Sequence, residues 1–183
     1  AKEKTVLWVL DRLTLRTIMS NLTQERLESY LQLISTIPLF QPLSNTERTQ
    51  IAESLQARSF RSGECIVQEG DYGDTMYIIL NGSIEVSKIV NGVHCTLTTL
   101  TPGHFFGERS LLENEPRTAT ATCLSHVDVA SLDQYAFVTL LGPLMSTLKS
   151  NLEQLKTRDE QIRQQYNSNT NDIEYYDANN DDD

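Results

Sequence analysis

The chain has 183 residues, 39% of them hydrophobic, and a formal net charge of −10. That suits one domain with appendages, or two small ones, with enough apolar material for a core. From Asp159 onward there are eight acidic residues and one basic, so the rest carries only −3 and offers no basic face to a nucleic-acid backbone.

The cysteines, Cys65, Cys95 and Cys123, are odd in number and widely spaced, which reads as reduced thiols in a cytoplasmic protein. His94, His104 and His126 lack the spacing of a zinc site. No apolar run approaches the roughly 18 residues of a membrane span. The apolar stretch at residues 6–10 ends at Asp11 and Arg12, too early for a signal peptide. The sequence does not begin with Met and is expected to be a fragment.

Residues 5–19 and 127–141 match at a spacing of 122 positions. Leu7 pairs with Val129, Leu10 with Leu132, Asp11 with Asp133, Leu15 with Phe137, Thr17 with Thr139 and Ile18 with Leu140. Both segments read as a last strand feeding a helix capped by Asp. A junction present twice points to tandem copies of one module, with residues 1–20 ending a preceding copy. Residues 21–35 suit a helix with Leu27, Leu31 and Ile34 on one face. Ile37, Pro38, Leu39 and Phe40 break it. Ser44 and Glu47 then form a capping box for a second helix carrying Ile51 and Leu55.

From Ala57 the pattern changes to short β runs. Strand candidates lie at Phe60 and at residues 65–67, 76–80, 84–86, 94–100, 118–123 and 127–132. Asn91-Gly92 is a hairpin signal. Many short strands with regular turns imply a sandwich or barrel, here a jelly roll. Residues 134–141 suit a short helix and Gly142-Pro143 a kink or stop. Beyond it runs a polar helix with a narrow stripe of Leu144, Leu148, Leu152, Leu155 and Ile162, which fits a helix lying on a surface. From Asn167 the composition is that of a disordered tail.

The stretch from Phe106 to Thr120 carries the chemistry. Gly107 lets a ligand approach the backbone. From Glu108 the chain turns helical for about a turn and a half, and the first N–H groups of a helix lack internal partners at the positive end of its dipole. A phosphate suits that end. Arg117 adds a planar fork of donors for phosphate oxygens. Glu108 fits if its carboxylate faces a hydroxyl, so a sugar phosphate meets both demands.

Phe106-Gly107-Glu108 and Pro116-Arg117-Thr118-Ala119-Thr120 resemble the phosphate-binding cassette of cyclic-nucleotide-binding domains in cyclic-AMP- and cyclic-GMP-dependent protein kinases. The likeness extends over roughly residues 37–150. It implies an α+β fold, a β jelly-roll sandwich flanked by an N-terminal helical segment and C-terminal lid helices. It implies ligand contacts from Gly107, Glu108, Arg109, Ser110, Arg117, Thr118 and Ala119. Arg117 would grip the cyclic phosphate, Glu108 the ribose 2′-hydroxyl, and the N–H groups near Glu108, Arg109 and Ser110 would complete the cradle. Family members usually carry Ala where Ser110 stands, and a backbone donor survives that change. A hydroxyl at Thr118 resembles the cyclic-GMP-selective modules, since its oxygen can accept from the guanine 2-amino group. Cyclic GMP is therefore expected over cyclic AMP, with a cyclic-AMP-binding regulatory subunit as the alternative. Arg109 resembles an Arg that in some cyclic-GMP kinases closes the lid on polar residues of the final helix. Gln154, Arg158, Asp159 and Gln161 are candidates, and Leu152 or Leu155 could cover the base instead.

The expected division is residues 1–20 ending a preceding module, 21–56 helical, 57–133 the jelly roll, 134–166 hinge and lid helices, and 167–183 an acidic disordered tail. The expected function is a non-catalytic sensor with a cyclic nucleotide as ligand and no cofactor or metal. Its partner would be a protein kinase catalytic domain in cis or in trans, with neither nucleic acid nor membrane. Cleaving a cyclic phosphodiester needs a metal cluster or a positioned acid–base pair, and neither is visible. A transcription regulator with the same sensor fold would need a helix-turn-helix where this chain has an acidic tail.

Overall fold

The computed structural model describes residues 9–154, 156–158, 160, 161 and 164. Residues 5–8 of the strand expected before Asp11, the stripe residues Leu155 and Ile162, the lid candidate Asp159 and the tail at 167–183 lie outside the described residues, and Val9 and Leu10 of that strand are exposed and not in a strand.

Helix α1 (Arg12–Thr36) begins where the Asp11 carboxylate accepts from the backbone N–H groups of Leu13 and Thr14, at 2.9 and 3.0 Å. It continues through residue 20, so one helix stands where the sequence suggests one ending and another starting at Asn21. No Gly or Pro interrupts residues 12–36. Weak formers such as Ser20 and Asn21 do not stop a helix whose far half is anchored by packing. That far half buries Tyr30 and Ile34, whereas Leu15, Ile18, Met19 and Leu22 are exposed. The turn Pro38–Phe40 follows, then α2 (Asn45–Ser54). Its capping box is reciprocal: Glu47 N–H donates to Ser44 Oγ at 3.3 Å, and Ser44 N–H donates to Glu47 Oε2 at 2.8 Å.

The strands are β1 (Gln56–Phe60), β2 (Cys65–Val67), β3 (Thr75–Asn81), β4 (Ile84–Val90), β5 (Val93–Leu100), β6 (Phe105–Phe106), β7 (Thr120–Cys123) and β8 (Val127–Asp133). They form two antiparallel four-stranded sheets, ordered β1-β8-β3-β6 and β2-β7-β4-β5. First strand pairs with last and second with second-last, which is the nested pairing of a jelly roll. Asn91 and Gly92 turn the β4–β5 hairpin with φ of 52° and 79°.

Two cores share β3 and β8. Tyr77, Ile79, Val127 and Val129 face the opposite sheet, while Met76, Ile78, Ala130 and Leu132 face the helices. Both faces of β3 are covered, which is why its sequence runs apolar without alternating. Strand β6 was not expected, because two apolar residues between Gly103 and Gly107 make no pattern. The strand expected from Thr118 starts at Thr120. The backbone of Arg117 is bonded instead to the loop before β3: its N–H donates to Asp71 O at 2.7 Å, and its C=O accepts from Gly70 N–H at 2.8 Å.

Helix α3 (Glu108–Glu113) follows β6, and α4 (Gln134–Leu140) follows β8 with Asp133 accepting from Ala136 N–H at 2.8 Å. The turn Gly142–Leu144 links α4 to α5, a helix over residues 145–154 and 156–158. Of the expected stripe, Leu144 and Leu148 join the helical core and Leu152 is buried as well.

Candidate ligand-binding site

Strand β6 pairs with β3 through Tyr77–Phe106 and Ile78–Phe105, which brings Gly107 beside Thr75. The rings of Tyr77 and Phe106 stack with centroids 5.2 Å apart and fix this edge. Gly107 then turns the chain into α3 with φ of 86°. A Cβ there would lie 2.6 Å from Arg117 Nη1 and 3.0 Å from Thr75 O. Glycine is therefore needed both for the backbone angle and for the close approach. With no side chain at this N-cap, no side-chain oxygen caps the first turn of α3.

Arg117 comes from the opposite side and is only 6% exposed. Its Nη1 donates to Gly107 O and to Ser110 Oγ, each at 2.7 Å, and its Nη2 donates to Thr75 O. The Ser110 hydroxyl lies 3.1 Å from Gly107 O and 3.3 Å from Gly73 O, either of which can take its proton. Burial pulls the guanidinium below its ordinary pKa, and the neighbouring Tyr77, Glu108 and Asp74 push it back up. Glu108 is the matching case of opposite sign: burial raises its carboxyl well above the usual range, against the pull of its own backbone, Arg109 and Arg117.

Gly73 passes the same guanidinium. A Cβ at Gly73 would meet Arg117 Nη2, Nε and Cζ at 2.5, 2.6 and 2.8 Å. In the sequence Gly73 reads only as a turn residue, and its one signal is a second Gly three residues after Gly70 in an acidic loop.

All seven residues expected at the site border one cavity of about 200 Å³: Gly107, Glu108, Arg109, Ser110, Arg117, Thr118 and Ala119. Val67, Val86, Leu97, Leu100 and Ala121 form its apolar wall, and Arg158 of α5 also lines it. Arg117, Glu108 and the start of α3 thus make one end charged and hydrogen-bonding, and most of the remaining lining apart from Thr98 and Arg158 is apolar, which suits a ligand with an anionic end and a flat apolar body.

Of the lid candidates for Arg109, Asp159 lies outside the described residues and Arg158 lines the cavity. Arg109 lies 4.0 Å from Glu113 Oε2, within its own helix. Glu113 reaches across to α5 through Oε1, which accepts from Lys156 Nζ. Gln154 and Gln161 are exposed. Lys156 was not singled out from sequence, because one Lys on a polar helix carries no pattern. Among the described residues no group of three His, Cys, Asp or Glu could hold a metal ion, and no helix is long and apolar enough to cross a membrane.

The family model described as cyclic nucleotide-binding domain matches residues 57–142. The cAMP-dependent protein kinase regulatory subunit of Mycosarcoma maydis is 36% identical over 148 residues, covering 78% of this chain and 28% of that protein. PKAR CBD2 bound to Sp-2Cl-cAMPS is 32% identical with a TM-score of 0.70, covering 76% of this chain and 93% of that one. The regulatory subunit of a cAMP-independent protein kinase A from Trypanosoma cruzi bound to guanosine is 32% identical with a TM-score of 0.65, covering 76% of this chain and 50% of that one. The chain spans between 28% and 40% of the length of the first curated relatives it matches. These findings do not support the expected preference for cyclic GMP, since the curated relatives are named for cyclic AMP. Thr118 is half-buried at the cavity wall. A single hydroxyl there is worth about 0.5–1.5 kcal/mol, too little to set selectivity alone.

Proposed function

This chain belongs to the family of cyclic nucleotide-binding domains, and on that premise we propose that it is the cyclic-AMP-binding module of a protein kinase A-type regulatory subunit. The observation that carries the reading is Arg117, buried at the charged end of the cavity between Gly107, Thr75 and Ser110, with Glu108 beside it. In this reading Arg117 and the first N–H groups of α3 take the cyclic phosphate, and Glu108 accepts from the ribose 2′-hydroxyl. The purine lies along Thr118, Ala119 and the apolar wall. Arg158 covers it, a planar cation over an aromatic face. The module is non-catalytic, and its partner is a kinase catalytic domain in cis or in trans. Ligand acts by favouring the state in which α5 lies over the cavity, and it shifts that equilibrium only by its difference in affinity for the two states.

Calorimetric titration with cyclic AMP tests the reading. Arg117→Lys keeps the charge but loses the fork. It is expected to weaken binding about ten- to a hundredfold, the range for a lost charge-assisted hydrogen bond. Undiminished affinity in that variant overturns the assignment. Cyclic GMP titrated alongside, into the same protein and into Thr118→Ala, reads the base preference directly.

A further inference from the structure

We propose that Ser110 is a positioning residue for Arg117: its hydroxyl aims the guanidinium and so sets affinity for the phosphate alone. The inference rests on the reading of Arg117 as the phosphate grip, and goes beyond it in giving a role to a side chain where only a backbone donor was expected.

Ser110 is 5% exposed and Arg117 6%. The serine hydroxyl has one proton and two lone pairs. With its proton on Gly107 O or Gly73 O, a lone pair is left for Arg117 Nη1, which sits 2.7 Å away. Nη1 also donates to Gly107 O, so Arg117, Ser110 and Gly107 form a closed three-membered set of hydrogen bonds.

The donor count is what matters. A guanidinium has five N–H groups. Ser110 and Gly107 take both from Nη1, and Thr75 O takes one from Nη2. Two donors are left, Nε–H and the second Nη2–H, enough for a two-point grip on one anion. Without the Ser110 oxygen, an Nη1 proton in a buried place has no acceptor in this set. The side chain must then turn to find one, and the two remaining donors turn with it. Ser110 thus spares the ligand part of the entropic cost of ordering a long side chain.

The test is a double-mutant cycle read with two ligands, cyclic AMP and adenosine, the second lacking the phosphate. Ser110→Ala keeps the backbone N–H and removes the hydroxyl, both the acceptor for Arg117 Nη1 and the donor to Gly107 O or Gly73 O. It is expected to weaken cyclic AMP binding about tenfold while leaving adenosine unchanged. Ser110→Cys, close in shape but a poor acceptor, is expected to follow Ala rather than the wild type. In the Arg117→Lys background Ser110→Ala is expected to have no further effect. Equal losses for both ligands, an unchanged cyclic AMP affinity, or the same loss in both backgrounds overturns the proposal while leaving Arg117 as the phosphate grip. If Arg117→Lys itself leaves cyclic AMP affinity intact, the functional reading fails first and this inference fails with it.

Discussion

Two glycines touch the same guanidinium, and they differ in what a methyl group would cost. At Gly107 a Cβ meets a backbone oxygen at 3.0 Å as well as Arg117, and φ is 86°. Gly107→Ala therefore strains the backbone by about 1–2 kcal/mol. At Gly73 φ is not in the left-handed region, and the atoms met are the far end of the Arg117 side chain. That end can move, so Gly73→Ala leaves the fold nearly intact but pushes the guanidinium from its place. We expect Gly73→Ala to lower cyclic AMP affinity at least about tenfold, one lost charged hydrogen bond, with little change in Tm. Gly107→Ala should lose both affinity and Tm. Thermal melts without ligand beside calorimetry separate the two, and a Gly73→Ala protein that binds normally contradicts the close-approach argument. Gly107 was legible in the sequence because it begins a helix after an aromatic pair. Gly73 was not, because its requirement comes from a side chain 44 positions away.

Local signals served the elements well. Asp11, Ser44 and Asp133 cap helices as expected from their types, since an N-cap is a contact over three residues. What escaped was whatever pairing across the chain decides. Strand β6 exists because β3 offers it an edge, and β7 starts late because Arg117 bonds to the loop at Gly70 and Asp71. The same holds for the link between α3 and α5. Glu113 is the last residue of the cassette helix, and its bond to Lys156 ties that helix to the one that brings Arg158 to the cavity. Glu113→Gln removes the ionic part of this tie, at a residue that does not itself line the cavity but also lies 4.0 Å from Arg109, which does. Because the pair is partly exposed, with side-chain exposures of 21% and 33%, the effect is expected to be modest. We expect a cyclic AMP affinity roughly two- to fivefold weaker, a deficit that shrinks as salt is raised because salt already screens the wild-type pair. Lys156→Met should match it, and the double variant should lose no more than either single one. Additive losses would mean that the two residues act separately.

At the scale of the molecule, the first half of α1 is the part that the described residues do not explain. Leu15, Ile18, Met19 and Leu22 recur at helical spacing, and their exposures are 48%, 43%, 57% and 56%. Their counterparts in the internal match behave differently: Phe137 and Leu141 of the α4 region are fully buried. The same junction is covered at one end of the chain and bare at the other. We propose that residues 1–20 close a preceding module of the same kind, whose sandwich covers this face. The chain's span of 28–40% of its first curated relatives leaves room for one. Because nothing among the described residues buries these side chains, Leu15→Gln together with Ile18→Gln should change the stability of this chain by no more than about 0.5 kcal/mol and leave cyclic AMP binding unaltered. In a protein extended by that module the same pair should cost several times more, since each buried Leu or Ile is worth about 1.5–3 kcal/mol relative to exposure. Denaturant unfolding of both lengths, with and without the two substitutions, decides between a covered face and one that stays bare. Equal small effects in the two lengths would leave α1 a solvent-facing helix and remove the tandem arrangement.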